Sequence, residues 1–124
     1  MTAPPQFKGK TGLRRIWNAL FYSIDGFRAA FRHEDAFRQE ALLAAILLPL
    51  AFWLGKTGME KALLSAAVLL ILVVELLNSG IEAVVDKVSP EAHELAKRAK
   101  DMGSAAVLLS LLNALIIWSC VLAS

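Results

Sequence analysis

Two carboxylates and an amide interrupt a long apolar stretch of this 124-residue sequence, in Glu75-Leu-Leu-Asn78-Ser79-Gly80-Ile-Glu82-Ala-Val-Val-Asp86. Glu75, Asn78, Ser79 and Glu82 are related by steps of three, four and seven, which places them on one face of a helix. An acidic side chain at the centre of a membrane helix costs about 2.5 to 3.5 kcal/mol on insertion scales, so such groups need partners or a task. An interhelical polar seam, at roughly 1 to 2 kcal/mol per contact, accounts for Asn78 and Ser79. It accounts poorly for two glutamates, because neutral amides would join helices without an ionisation cost. Depth separates the pair. Glu82 stands four residues before Asp86, near water, and Glu75 lies seven residues deeper, about 10 Å at helical rise. A shallow carboxylate can hold a hydrated metal ion, and a deep one can act as general base on a group presented by a lipid.

Other polar groups flank the apolar stretches. His33-Glu34-Asp35-Ala36-Phe37-Arg38-Gln39-Glu40 precedes the first, and from spacing alone it reads equally well as a solvated interface. Glu91, His93, Glu94, Lys97, Arg98, Lys100 and Asp101 crowd the segment before the last, with Lys100 and Asp101 at the level of Glu82, where a cation can meet phosphate. Gly55-Lys56-Thr57-Gly58 is not a phosphate-binding loop: the glycine required five positions earlier is Leu50, and no strand precedes it. His33 and His93 are too few and too scattered for a zinc site, and a lone Cys120 excludes an intrachain disulfide.

The elements that position these groups follow from composition. Apolar residues make up 57% of the chain, above the ordinary globular level, and a membrane explains the excess. Glu40–Leu54, Ala62–Val85 and Ser104–Ala123 approach or reach the ~20 residues a spanning helix needs. The first contains Pro49, and extending it back through the 36–40 turn gives a true span. It is no signal peptide, since more than thirty residues carrying seven Lys or Arg precede it and two further spans follow. The expectation is one all-α membrane domain over 1–124, with a disordered lead-in at 1–11, a surface helix at 12–33, and transmembrane helices at 36–54, 62–85 and 103–123. In the surface helix, Leu13, Ile16, Trp17, Leu20, Ile24, Phe27 and Phe31 recur at helical intervals, while Arg14, Arg15, Arg28 and Arg32 take other faces. Beside three spans, that stripe reads as a helix lying in the membrane interface. Trp53 and Trp118 fall at outer span ends, where indoles anchor. Ser89-Pro90-Glu91 has the pattern of a helix start. Basic residues gather before the first span and between the second and third, which places both regions in the cytoplasm.

Glu75-Leu-Leu-Asn78-Ser-Gly-Ile-Glu82-Ala-Val-Val-Asp86 and His93-Glu-Leu-Ala-Lys-Arg-Ala-Lys100-Asp101-Met-Gly-Ser104-Ala-Ala-Val resemble the bacterial membrane diacylglycerol kinases. Arg28-Ala-Ala and Ala36-Phe-Arg-Gln-Glu40 match as well, so the resemblance runs from about Arg15 to the C-terminus. It implies a homotrimer of three-span subunits in the bacterial inner membrane, each with a surface helix and with active sites shared at the cytoplasmic boundary. The implied reaction is ATP-dependent phosphorylation of 1,2-diacylglycerol to phosphatidic acid, with Mg²⁺. Glu75 is then the catalytic base, and Glu34 and Glu82 bind the metal. Arg15, Tyr22, Glu34, Glu82, Glu91, Ala92, His93, Lys100 and Asp101 meet nucleotide. Arg15, Arg28, Ala36, Gln39, Glu40, Trp53, Glu75, Ser104 and Trp118 fall at lipid-substrate positions, and Asn78 shapes the site. Asp25 departs from the family pattern, standing where the family carries a basic residue. The competing readings are a related undecaprenol kinase, a small proton-coupled transporter using Glu75, and a purely structural membrane subunit. Nothing points to nucleic acid.

Overall fold

The computed structural model describes residues 12–88 and 93–124. The expected lead-in at 1–11, the Ser89-Pro90-Glu91 helix start, and the nucleotide positions Glu91 and Ala92 lie outside the described residues. The described chain is all helical: α1 is Gly12–His33, α2 Asp35–Leu54, α3 Gly58–Val88 and α4 Glu94–Ala123.

Between α1 and α2 the corner is a single residue. Glu34 is extended (φ −117°, ψ 111°), yet its N–H donates to Ala30 O at 2.9 Å and its carbonyl accepts from Arg38 N at 3.1 Å. Both helical ladders therefore end on the same residue, one through its N–H and the other through its carbonyl. Arg38 closes the corner, with Nη1 donating to Phe31 O at 2.7 Å and to Arg32 O at 3.2 Å while Nη2 meets the Asp35 carboxylate. A guanidinium on the last carbonyls of α1 satisfies acceptors that a helix end leaves without partners.

Phe37, Ala44 and Ala51 form the buried seam of α2, spaced by sevens, and two alanines there let the backbones approach closely. Leu64, Ala67, Val68, Ile71, Glu75 and Asn78 are buried on α3 at steps of three and four, so the polar face found in the sequence continues the core-facing stripe. Pro49 lies within α2, and the helix continues past it to Leu54.

The next connection is tight. Glu60 N donates to Thr57 Oγ1 at 3.1 Å, and Glu60 Oε1 accepts from Lys56 N at 2.8 Å, a reciprocal cap that starts α3. A side chain at Gly55 would stand 2.8 Å from Lys61 N, so glycine permits the close return. α3 and α4 run antiparallel, pinned at one end by Lys100 Nζ to Asp86 Oδ1 at 2.6 Å and at the other by Trp118 Nε1 to Leu64 O at 3.1 Å.

Among the described residues, three helices (α2, α3 and α4) are long and apolar enough to cross a membrane. Their outward faces carry Leu42, Ile46, Leu77, Leu109, Leu115 and Ile116, all exposed, an apolar surface far beyond the patches a monomer keeps in water. The expected spans 36–54, 62–85 and 103–123 each fall inside one of these helices. At 31 residues α3 extends to about 46 Å, longer than the ~30 Å of bilayer hydrocarbon, so its charged end at Asp86 and Lys87 has room to stand in water.

Candidate active site

Glu75 is 3% exposed and Asn78 8%, while Glu82, one turn beyond Asn78, is half-buried. The periodicity of α3 dictates this gradient, since all three share the face turned toward the other helices. Two further carboxylates lie within electrostatic range of Glu75 from other elements, Glu40 from the second turn of α2 and Glu34 from the corner, both half-buried, as does Glu82. Four carboxylates from three elements thus converge at one end of the bundle. Such a concentration of negative charge with few internal cations attracts a cation or a proton. Among the described residues, no three His, Cys, Asp or Glu side chains are grouped closely enough to cage a metal ion by themselves.

Asn78 sits between Glu75 and Glu82. Its Nδ2 faces Glu82 Oε2 at 3.5 Å, at the long limit of a hydrogen bond, and it also acts on Glu75. Its Oδ1 is buried without a hydrogen-bond partner among the described residues. A buried acceptor left so costs roughly 1 to 3 kcal/mol, an expense that a purely structural seam would avoid.

The groups expected to meet phosphate stand in the first turns of α4. His93 caps that helix, its Nδ1 accepting from Leu95 N at 3.0 Å. Lys100 reaches Asp86, and Lys97 Nζ holds Asp101 Oδ2 at 2.7 Å, one turn along the helix. Both pairs are exposed and contribute little to stability; they set the charge pattern beside Glu82. Ser104 follows on the same helix and is exposed.

Arg15, Trp53 and Trp118 are not brought to the carboxylates within one chain. Arg15 and Tyr22 lie on α1, with roughly 27 Å of helix between Arg15 and His33. Arg28 is exposed and faces Asp25 at 3.8 Å, so the departure at Asp25 supplies a local counter-charge. Ala36 and Gln39 flank the corner on its exposed side. Trp53, 79% exposed, ends α2, and Trp118 is half-buried near the end of α4. Both indoles are therefore at the opposite end of the bundle from Glu34 and Lys100.

Sequence reasoning missed three features. An open cleft of about 780 Å³ lies between α1, α2 and α3, lined by Phe27, Phe31, Phe37 and Leu72 with Arg28 and Arg32 beside them. The repeated Phe-Arg pair at 27–28 and 31–32 was its signal. Arg38 as the cap of α1 had no local signal, because it reaches back across the corner. Gly103, whose backbone meets Asn78, had none either.

The chain matches the family model described as prokaryotic diacylglycerol kinase over residues 21–122. It is 55% identical over 120 residues to the diacylglycerol kinase of Pseudomonas aeruginosa, covering 97% of this chain and 98% of that one. It is 48% identical over 112 residues to the diacylglycerol kinase of Haemophilus influenzae (90% and 95% covered). To that of Escherichia coli it is 49% identical over 112 residues (90% and 91% covered). With a buried carboxylate face on a membrane-length helix and near-complete relatives at this level of identity, the chain belongs to the prokaryotic diacylglycerol kinase family.

Proposed function

We propose that this chain transfers the γ-phosphoryl group of ATP to the free hydroxyl of 1,2-diacylglycerol, yielding phosphatidic acid and ADP at the cytoplasmic face of the bacterial inner membrane. The observation that carries the reading is the convergence of Glu34, Glu40 and Glu82 on the buried Glu75, in a member of a lipid kinase family. Phosphoryl transfer asks a protein for positioning, charge neutralisation and a proton acceptor rather than covalent chemistry. Glu75 accepts the hydroxyl proton as the lipid oxygen bonds to the γ-phosphorus and the bond to the β,γ-bridging oxygen breaks. Depth suits it to the task, since a diacylglycerol hydroxyl approaches from the bilayer side.

Glu34 and Glu82 are the residues that would hold Mg²⁺. One or two carboxylates, with phosphate and water oxygens completing the shell, is the donor set this ion takes in nucleotide sites, so the pair fits it. When bound, the ion neutralises phosphate charge. Asn78 holds Glu82 in place through Nδ2. Lys100, Asp101 and His93 take the nucleotide at the start of α4, and Glu91 and Ala92, outside the described residues, belong to the same set. The cleft beside Arg28, with Ala36, Gln39, Glu40 and Ser104, receives the lipid, its phenylalanines suiting an acyl chain.

Arg15 and Tyr22 complete the nucleotide site from a neighbouring subunit. The length of α1 supports that assignment, because it keeps Arg15 far from the carboxylates of its own chain. The assembly is a homotrimer with shared sites, α1 lies amphipathically on the cytoplasmic surface, and the N-terminus is inside. Trp53 and Trp118 contact lipid at the outer interface.

The test is purified protein in mixed micelles with γ-labelled ATP and either 1,2-diacylglycerol or undecaprenol. Label in phosphatidic acid is expected. Label in undecaprenyl phosphate alone would reassign the substrate, and label in neither lipid would remove the kinase reading.

A further inference from the structure

Gly103 is buried in α4 against α3, and a Cβ there would collide with Asn78 Oδ1 and stand 3.2 Å from Asn78 Cγ. Gly80, only two residues from Asn78 along the chain, has open space where its Cβ would stand, as do Gly26 and Gly58. Apart from the tight return at Gly55, the intolerance therefore lies where α4 presents bare backbone to one amide.

We infer that Gly103 is a positioning residue for the carboxylates of α3, acting through Asn78; the role leans on the kinase reading above only for what Glu82 and Glu75 then do. An amide is planar, so fixing one of its two polar atoms fixes the direction of the other. Setting Oδ1 against the bare Cα of Gly103 turns Nδ2 along α3 toward Glu82 Oε2, at 3.5 Å. Turning the amide over would put Oδ1 against the Glu82 carboxylate, oxygen against oxygen, and aim two N–H donors at a carbon. The buried Oδ1 without a hydrogen bond is then explained: its contact with the α-carbon of Gly103 is a weak one, tolerated because it orients the donor end. Any side chain at 103 must either push the amide off this orientation or push α4 away from α3. The second movement would also carry Lys100 and Asp101, which lie within one turn on the same helix.

A double-mutant cycle separates this from simple helix packing. Turnover is measured against Mg²⁺ and against ATP for the wild type, Gly103→Ala, Asn78→Ala and the double variant, with Gly26→Ala as a control of wild-type rate. Gly103→Ala is expected to lower kcat/KM about 10- to 100-fold and to raise the Mg²⁺ needed for half-maximal rate, as loss of a group supporting a ligand does. In the Asn78→Ala background the same substitution is expected to change either quantity by no more than about twofold, because its target is gone. A further loss equal to that seen in the wild-type background would mean that Gly103 serves packing alone, and wild-type kinetics in Gly103→Ala would end the proposal outright. The side-chain amide NMR signals of Asn78, assigned by their disappearance in Asn78→Ala, give a readout independent of catalysis. They are expected to shift in Gly103→Ala and in Glu82→Gln. Unmoved signals in both would sink the orientation argument even if the protein proved to act on another lipid, whereas failure of the kinase reading appears only as a wild type that phosphorylates neither lipid.

Discussion

Replacing the Glu75 carboxylate by an amide keeps its shape and removes its ability to accept a proton. Glu75→Gln is therefore expected to lower kcat by roughly 10² to 10⁴, the usual span of general-base catalysis, with the KM for ATP nearly unchanged. On the proposed assignment of Mg²⁺ to Glu82, Glu82→Gln is expected to act differently, raising the Mg²⁺ and ATP concentrations for half-maximal rate together, as an ion that arrives with the nucleotide requires. Rate titrations against each ligand on the two purified variants check both. Near-normal turnover in Glu75→Gln would return the face to a structural seam, and an unchanged Mg²⁺ dependence in Glu82→Gln would move the ion toward Glu34 and Asp86. Neither variant need unfold, since each removes a charge that the membrane penalises. The shared face and the difference in burial were legible in the sequence, because helical spacing alone puts Glu75 and Glu82 on one face seven residues apart. The companions Glu40 and Glu34 were legible as polar residues near a span, but their convergence on Glu75 depends on how α2 turns against α3, which no local pattern encodes.

Between elements, hydrogen bonds from two side chains, Arg38 and Trp118, hold the helices that carry these groups. Arg38→Met keeps an unbranched stem but abandons the carbonyls of Phe31 and Arg32, and is expected to destabilise the corner by about 1 to 2 kcal/mol. Faster limited proteolysis near His33 and a lower denaturation midpoint in micelles are the readouts. Trp118→Phe keeps a ring but loses the donor to Leu64 O, and a loss of about 0.5 to 1.5 kcal/mol in thermal stability is expected. A raised KM for diacylglycerol in the same variant would assign the indole to lipid as well. Element boundaries show what sequence pattern misses. α1 spans 12–33, as its stripe predicts, because an uninterrupted apolar period is a strong signal. α3 begins at Gly58, four residues before the expected span at 62, because hydropathy finds the membrane-soluble part while the Thr57-x-x-Glu60 cap starts the helix earlier in polar sequence. Gly103 looked like one more small residue in an apolar helix, and only its neighbour across the interface gives it meaning.

At the scale of the whole molecule, topology and assembly can be checked separately. In a chain whose Cys120 is replaced by serine, Gly58→Cys is expected to react in intact cells with an impermeant thiol reagent and Lys97→Cys to react only after lysis. The opposite pattern would invert the protein in the membrane. If sites are shared, Arg15→Ala and Glu75→Gln should each be inactive alone and regain activity when denatured together and refolded as mixed oligomers. Continued inactivity of the mixture would confine each site to one chain. The one-residue corner has a mechanical consequence for all of this. Because the ladders of α1 and α2 both terminate on Glu34, any tilt of one helix against the other is taken up in the φ and ψ of that residue. α1 is then a lever whose fulcrum is a candidate metal ligand, and whatever rocks its far end is delivered as a rotation of the Glu34 carboxylate.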